Sequence, residues 1–203
     1  MKKILVAVVA IAAFNLTAQA QIKVGVKAGK NISNNISNDG TGSGLVSRSA
    51  YRGYHVGVVA DVPLTKELYL QPQLLYVDKG AKYIATSGSS AKLTMKNIEM
   101  PIYIMYKIEV PFGKLFGGAG PILTYGLSHN LRQDGHNNKD NSWKRLDVSA
   151  AAVAGVEFNG GFFTSISYQR GLRDINKATE IYAKNQSLSL SIGYLVNWNK
   201  RKV

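Results

Sequence analysis

The 203-residue chain contains no cysteine and is poor in charged residues, at 18 %. The missing cysteine excludes disulfides, thiolate zinc sites, a cysteine nucleophile and a lipid-modified cysteine. Acidic residues are especially scarce, with 12 Asp and Glu against 25 Lys and Arg, so the formal net charge is +13. A basic chain suits phosphate-bearing neighbours, either nucleic acid or charged lipid. With 45 % hydrophobic residues and 11 tyrosines, the chain is too apolar and aromatic to be disordered.

A hydrophobic run long enough for a transmembrane helix, about 18 residues, is also missing. The apolar run at residues 4–14 follows Lys2 and Lys3, and Ala18 and Ala20 supply the small residues that signal peptidase reads. We therefore predict a cleaved signal peptide over residues 1–20 and a single domain over 21–203, the alternative being a buried N-terminal helix. Export argues against nucleic acid as the partner and favours the cell envelope.

Apolar and polar residues alternate in eight segments, which is the pattern of β-strands with one apolar face. No segment shows a convincing helical period. The eight segments cover residues 22–29, 54–61, 68–76, 97–108, 114–128, 146–158, 162–169 and 187–196.

The connections between these segments alternate between short and long. Those after the second, fourth and sixth segments are tight, and the other four are long, polar segments: 31–50, the residues around 86–90, 129–144 and 170–186. Long loops at one end and short turns at the other are typical of bacterial outer-membrane barrels. We therefore predict an all-β fold: an eight-stranded antiparallel transmembrane β-barrel with short periplasmic turns and long extracellular loops.

The charged residues of the strands fall on one face of the alternating pattern. In a barrel that spans lipid, this face must be the inner one, and eight strands leave an interior that side chains just fill. An unpaired buried charge is costly, so we predict a paired polar network inside the barrel. Its members are Lys23, Lys27, His55, Asp61, Glu99, Lys107, Asp147 and Glu157. A soluble barrel with a dry core would place apolar residues inside instead.

The three histidines are the residues to test for catalysis or metal binding. His55 falls on an inward position, where we expect it to pair with a neighbour such as Asp61 or a residue of the first strand. His129 and His136 lie seven residues apart in a segment rich in Gly and Asn, which matches no recognised metal site. Ser128 and His129 are adjacent on a strand, so their side chains point to opposite faces. We predict no catalytic residue, no cofactor and no metal.

Six sequence stretches resemble the outer-membrane β-barrel domain family of Bacteroidota, often described as PorT-like. They are Val24–Gly29, Gly57–Leu64, Leu70–Tyr76 together with Lys79 and Gly80, Ile98–Ile102, Gly117–Pro121 and Ser187–Tyr194. The broader architecture is similar to small OmpA- or OmpX-type barrels. These are strand and turn signatures, so the resemblance implies a fold and a place in the outer membrane and says little about activity.

We expect a non-enzymatic outer-membrane protein with a structural, interaction or envelope-assembly role, or a role in assisting secretion, whose specificity lies in its long outer loops. Two alternatives stay open: a soluble periplasmic β-barrel that binds a small ligand, and a lipid A-modifying outer-membrane enzyme. The expected partners are outer-membrane lipid and lipopolysaccharide, together with an envelope protein at the outer loops. The expected state is a monomer. A net basic outer rim supports the lipid partner, and we assign Lys79, Lys82, Lys92, Arg132, Lys139, Lys144, Arg170, Arg173, Lys177 and Lys184 to it.

Overall fold

A computed structural model describes residues 22–38, 46–85, 90–133, 136–139, 146–172 and 182–197. All regular secondary structure in these residues is β-strand, and no helix among them is long and apolar enough to cross a membrane. The strands are β1 (Lys23–Asn38), β2 (Val46–Pro63), β3 (Leu68–Ala85), β4 (Ser90–Val110), β5 (Gly113–Gln133), β6 (His136–Lys139), β7 (Leu146–Phe158), β8 (Phe162–Gly171) and β9 (Tyr182–Asn197).

Eight of the nine strands close into an antiparallel barrel. Each pairs with the next along the chain, except that β5 pairs with β7, and β9 returns to pair with β1. The four-residue β6 pairs with the distal end of β5, beyond the part that pairs with β7. The prediction of eight antiparallel strands in a closed barrel is confirmed.

The strands of the barrel are strongly staggered. We start at Val62 of β2 and step from each residue to its partner on the next strand. One circuit of the barrel then ends at Arg52 of β2, ten residues from the starting point. Stagger, tilt and diameter are linked in a closed barrel, and strands in such barrels tilt by about 35–45° from the axis. This geometry leaves an interior that side chains can fill.

The alternation of the strands separates an apolar exterior from a polar interior. On β4, Tyr103, Met105 and Lys107 are buried, whereas Ile102 and Ile104 are exposed. The same holds around the barrel, where Val26 and Leu190 are each 61 % exposed although both are aliphatic. Such an exterior is stable in lipid and unfavourable in water. A soluble barrel with a dry core has the opposite arrangement.

Three tight turns lie at the end of the barrel where β1 begins and β9 ends, which we name the turn end. They span residues 64–67, 111–112 and 159–161. In the first, the Thr65 hydroxyl accepts hydrogen bonds from the backbone N–H groups of Glu67 and Leu68. In the third, Gly161 has a φ of 87°, a left-handed conformation that favours glycine. We name the opposite end the loop end.

The strands reach much further toward the loop end than the sequence pattern predicts. Residues 31–38 and 46–50, assigned above to the first long loop, lie in β1 and β2, and β5 continues to Gln133. The predicted extents of the long loops are therefore wrong. Backbone groups pair independently of side-chain polarity, so Asn- and Ser-rich segments can continue the sheet. The remaining residues of these connections lie outside the described ranges.

Candidate functional site in the barrel interior

All eight residues of the predicted network lie on the inner face of the barrel. Seven are buried, and Lys23 is half-buried at the turn end. Four of them form a polar cluster near the turn end, and Glu99 belongs to a second cluster nearer the loop end. Lys27, His55 and Asp147 have other partners. The structure also brings in residues that the sequence analysis placed elsewhere.

The first group, which we name the lower ion cluster, consists of Lys23, Asp61, Lys107 and Glu157. The Lys107 ammonium donates to Asp61 Oδ2 and to Glu157 Oε2, each at 2.7 Å. The Lys23 ammonium donates to the other oxygen of Glu157. The β1–β2 register places Lys23 opposite Asp61. Both carboxylates are thus paired in a region where a free charge would be strongly unfavourable.

Aromatic side chains enclose the Lys107 ammonium. It lies 4.6 Å from the centre of the Tyr69 ring and 5.8 Å from that of Phe116, both within cation–π range. The Phe116 ring occupies the space above Gly155, where a Cβ atom would lie 2.5 Å from the ring. The absence of a side chain at Gly155 therefore leaves room for the Phe116 ring that covers the lower ion cluster.

A chain of amides connects the lower ion cluster to Lys27. The Lys27 ammonium donates to Gln73, the Gln73 amide donates to Gln71, and the Gln71 amide donates to Asp61. The direct partner of Lys27 is therefore an amide oxygen at 3.3 Å. The two glutamines therefore bridge Lys27 to Asp61, and neither was among the predicted members of the network.

The second group, which we name the upper cluster, is built around Lys79 and Glu99. The Lys79 ammonium donates to Glu99 Oε1 at 2.7 Å and also to Gln169 Oε1. Our assignment of Lys79 to the outer rim is wrong, because Lys79 lies on β3 and its side chain is buried inside the barrel. The sequence signal that we missed is the continued alternation of the strand. Every second residue faces the same side, so Lys79 faces inward with Gln73, Leu75 and Val77.

His55 has a different partner from the one we predicted. Its Nε2 atom lies 2.9 Å from the Ser191 hydroxyl on β9, and among the described residues no carboxylate hydrogen-bonds to it. A Cβ atom on Gly29 would lie 2.6 Å from the ring, so the glycine makes room for His55. Beside the ring is a cavity of about 20 Å³, also lined by Lys27, Lys79, Glu99 and Tyr103. It has space for about one water molecule.

The charges of the interior are balanced. Within the described residues, the inner face carries the lysines Lys23, Lys27, Lys79 and Lys107 and the carboxylates Asp61, Glu99, Asp147 and Glu157, and at the turn end Lys114 forms an ion pair with Glu109. Asp147 is buried near the loop end and accepts a hydrogen bond from the Val148 N–H. A charge-neutral, hydrogen-bonded interior is suited to filling the barrel and stabilising it.

Apolar side chains fill the space between the two clusters. Val59 lies between His55 and Asp61 on β2, and Tyr103 lies between Glu99 and Lys107 on β4. Both belong to a buried apolar group that also contains Val153, Ile122 and Met105. The interior is therefore closed by packing as well as by ion pairs.

The other two histidines lie toward the loop end. His129 is opposite Met95 in the β4–β5 pairing, and His136 is opposite Gln133 in the β5–β6 pairing. Their side chains fall outside the described part of the structure. Among the described residues there is no group of three His, Asp or Glu side chains that could hold a metal ion.

A closed barrel with an apolar exterior and a polar, side-chain-filled interior defines the class of outer-membrane β-barrels. The chain belongs to the outer membrane protein beta-barrel domain family, whose family model matches residues 17–177. It is therefore a protein of the outer membrane. The sequence expectation of an outer-membrane barrel is confirmed, and the alternative of a soluble periplasmic barrel is wrong.

Solved structures share this fold at low sequence identity. The outer membrane protein OprG from Pseudomonas aeruginosa is 8 % identical with a TM-score of 0.51, and the match covers 88 % of this chain and 97 % of that chain. Neisserial surface protein A is 12 % identical with a TM-score of 0.48, over 86 % of this chain and 96 % of that one. No curated protein matches the chain. At this identity the likeness to OprG shows the fold alone.

Proposed function

We propose that this protein is a closed, non-catalytic outer-membrane barrel that acts through its lipid-facing surface and its loop end. The observation that carries this proposal is the filled interior. Two ion clusters, an amide chain and an apolar layer occupy the described part of the barrel interior, and the cavity beside His55 has space for about one water molecule. A structural or interaction role, including assistance to envelope assembly or secretion, needs no path through the barrel.

A non-enzymatic role is supported by the surroundings of the His55–Ser191 pair. Both side chains are nearly inaccessible, at 4 % and 1 % exposure, so a bulky lipid substrate has no route to them. A Ser–His pair in catalysis also needs an orienting acid, and His55 has no such hydrogen bond within the described residues. We therefore expect no acyl release when the purified barrel is incubated with lipid A or phospholipid. Release that disappears in the His55→Ala or His129→Ala variant would support the lipid A-modifying enzyme instead.

The more specific parts of the proposal come from the sequence. We propose membership of the PorT-like group within the family, a monomeric state, lipopolysaccharide and an envelope protein as partners, and removal of the signal peptide after Ala20. Residues 1–21 lie outside the described ranges. The intact mass of the exported protein tests the cleavage, and the expected mature chain starts at Gln21.

The filled interior predicts that the reconstituted protein does not form a large channel. In planar lipid bilayers we expect no stepwise large conductance, because eight strands leave no room for an aqueous path once side chains fill the interior. A wide porin studied in parallel provides the positive control for insertion. Reproducible large steps from folded, heat-modifiable barrel would overturn the closed-barrel proposal.

A further inference from the structure

The charged side chains that face outward from the described strands all lie in the loop-end half of the barrel wall. Across the described strands, the outward positions nearer the middle of the barrel are apolar or small. Toward the loop end, four cations and one carboxylate face outward: Lys30, Arg52, Lys96, Arg170 and Asp78. A charge facing lipid is unfavourable at the bilayer centre and becomes acceptable at the interface, so these residues mark the headgroup level.

Tyrosines at the same height support this placement. Tyr54 is directly opposite Lys30 in the β1–β2 pairing, and its ring lies 6.4 Å from that of Tyr76. Tyr168 precedes Arg170 by two residues and shares its outward face. Tyrosine side chains are enriched where the membrane meets water. Aromatic rings at the turn end, those of Phe112, Phe158 and Phe162, mark the opposite interface.

The cations differ in whether a carboxylate faces them. Lys96 is directly opposite Asp78 in the β3–β4 pairing, and Asp78 also accepts a hydrogen bond from the Tyr51 hydroxyl. Lys30 and Arg52 are diagonal neighbours on adjacent strands, since Lys30 is opposite Tyr54 and Arg52 is opposite Ile32. The described parts of β8, β9, β1 and β2 carry no outward carboxylate. Lys30 and Arg52 are therefore adjacent outward cations, which we name the basic patch. Arg170 lies two strands away from Lys30, and Asp78 of β3 lies beside Gly53 of β2.

We propose that the basic patch binds the phosphate groups of a phosphorylated glycolipid in the outer leaflet. This inference rests on the proposed function together with the predicted orientation, in which the turns are periplasmic and the loop end faces outward. The Arg52 guanidinium can hold a phosphate by two parallel hydrogen bonds, and the Lys30 ammonium adds a point charge beside it. Leu190 lies directly opposite Lys30, and the exposed side chains of Val56 and Ile192, both opposite Ala28, offer an apolar surface for acyl chains on the turn-end side of the patch.

Lipid binding to the purified barrel in neutral detergent tests this proposal. Native mass spectrometry would count bound molecules of diphosphorylated lipid A, of the same lipid after dephosphorylation, and of phosphatidylglycerol. We expect wild-type protein to retain diphosphorylated lipid A and the Lys30→Gln/Arg52→Gln double variant to bind it about tenfold more weakly. The Lys96→Gln variant is the matched control, because its cation faces Asp78, and we expect it to bind like wild type.

The results that would overturn the proposal are distinct. Equal retention of the dephosphorylated lipid would show that acyl chains alone drive binding, and an equal loss in Lys96→Gln would show a general charge effect. Equal affinity for phosphatidylglycerol would indicate any anionic lipid, and displacement by millimolar inorganic phosphate would indicate a free-phosphate site. Heat-modifiable gel migration verifies that each variant is folded. If the barrel stays closed in bilayers but fails this lipid assay, the proposal for the basic patch is wrong and the proposed function still stands.

Discussion

Replacing Lys107 by methionine is expected to lower the free energy of unfolding by about 3–5 kcal/mol. Lys107 is the only described cation within salt-bridge distance of Asp61, and it shares Glu157 with Lys23. Methionine has nearly the same length but no charge, so the variant leaves the Asp61 carboxylate buried with only the Gln71 amide as a hydrogen-bond donor. An uncompensated buried charge costs far more than the lost packing.

Reversible urea unfolding in lipid vesicles, followed by tryptophan fluorescence or gel migration, measures this effect. Adding Asp61→Asn to Lys107→Met removes the stranded charge, and we expect the double variant to recover a large part of the lost stability. Lys66→Met in the first tight turn is the matched surface control, with an expected change within about 0.5 kcal/mol. If Lys107→Met is as stable as wild type, water reaches the lower ion cluster and the interior is not dry there.

The Glu99→Gln variant is expected to lower the free energy of unfolding by about 3 kcal/mol, which is the lower end of the range expected for Lys107→Met. Glu99 is the carboxylate that pairs with the buried Lys79, and glutamine keeps the shape while removing the charge. Lys79 retains its hydrogen bond to Gln169, which moderates the loss. The same unfolding assay measures this change.

Glu109→Gln serves as the control for Glu99→Gln. Glu109 also forms an ion pair with a lysine, at 3.1 Å from Lys114, but its side chain is 81 % exposed. Exposed pairs of this kind contribute about 0–1 kcal/mol, so we expect little change. Equal stability of Glu99→Gln and wild type would mean that the upper cluster is solvated, and a narrow water path through the loop-end half would then become the better description.

For the eight residues of the predicted network, the sequence alone determined the side of the barrel wall on which they lie. Lys27, Glu99 and Glu157 were predicted to face inward from period-two alternation, and the structure places all three inside. This succeeds because side-chain direction in a strand is a local property that alternates with every residue. Lys79 was misplaced only because strand β3 was ended too early, and the same alternation continued to Gly80 would have placed it inside.

The partners inside the barrel were decided only by the tertiary structure. His55 meets Ser191 across 136 residues of sequence, and Lys107 joins Asp61 and Glu157, which are 46 and 50 residues away. Which inward side chains meet depends on the ten-residue stagger at barrel closure, and no local pattern encodes that offset. The extent of the strands was likewise undetermined, because backbone pairing continues through polar segments whose side chains carry no apolar alternation. The alternating pattern thus specified an inside and an outside, and closure of the sheet selected which charges neutralise one another.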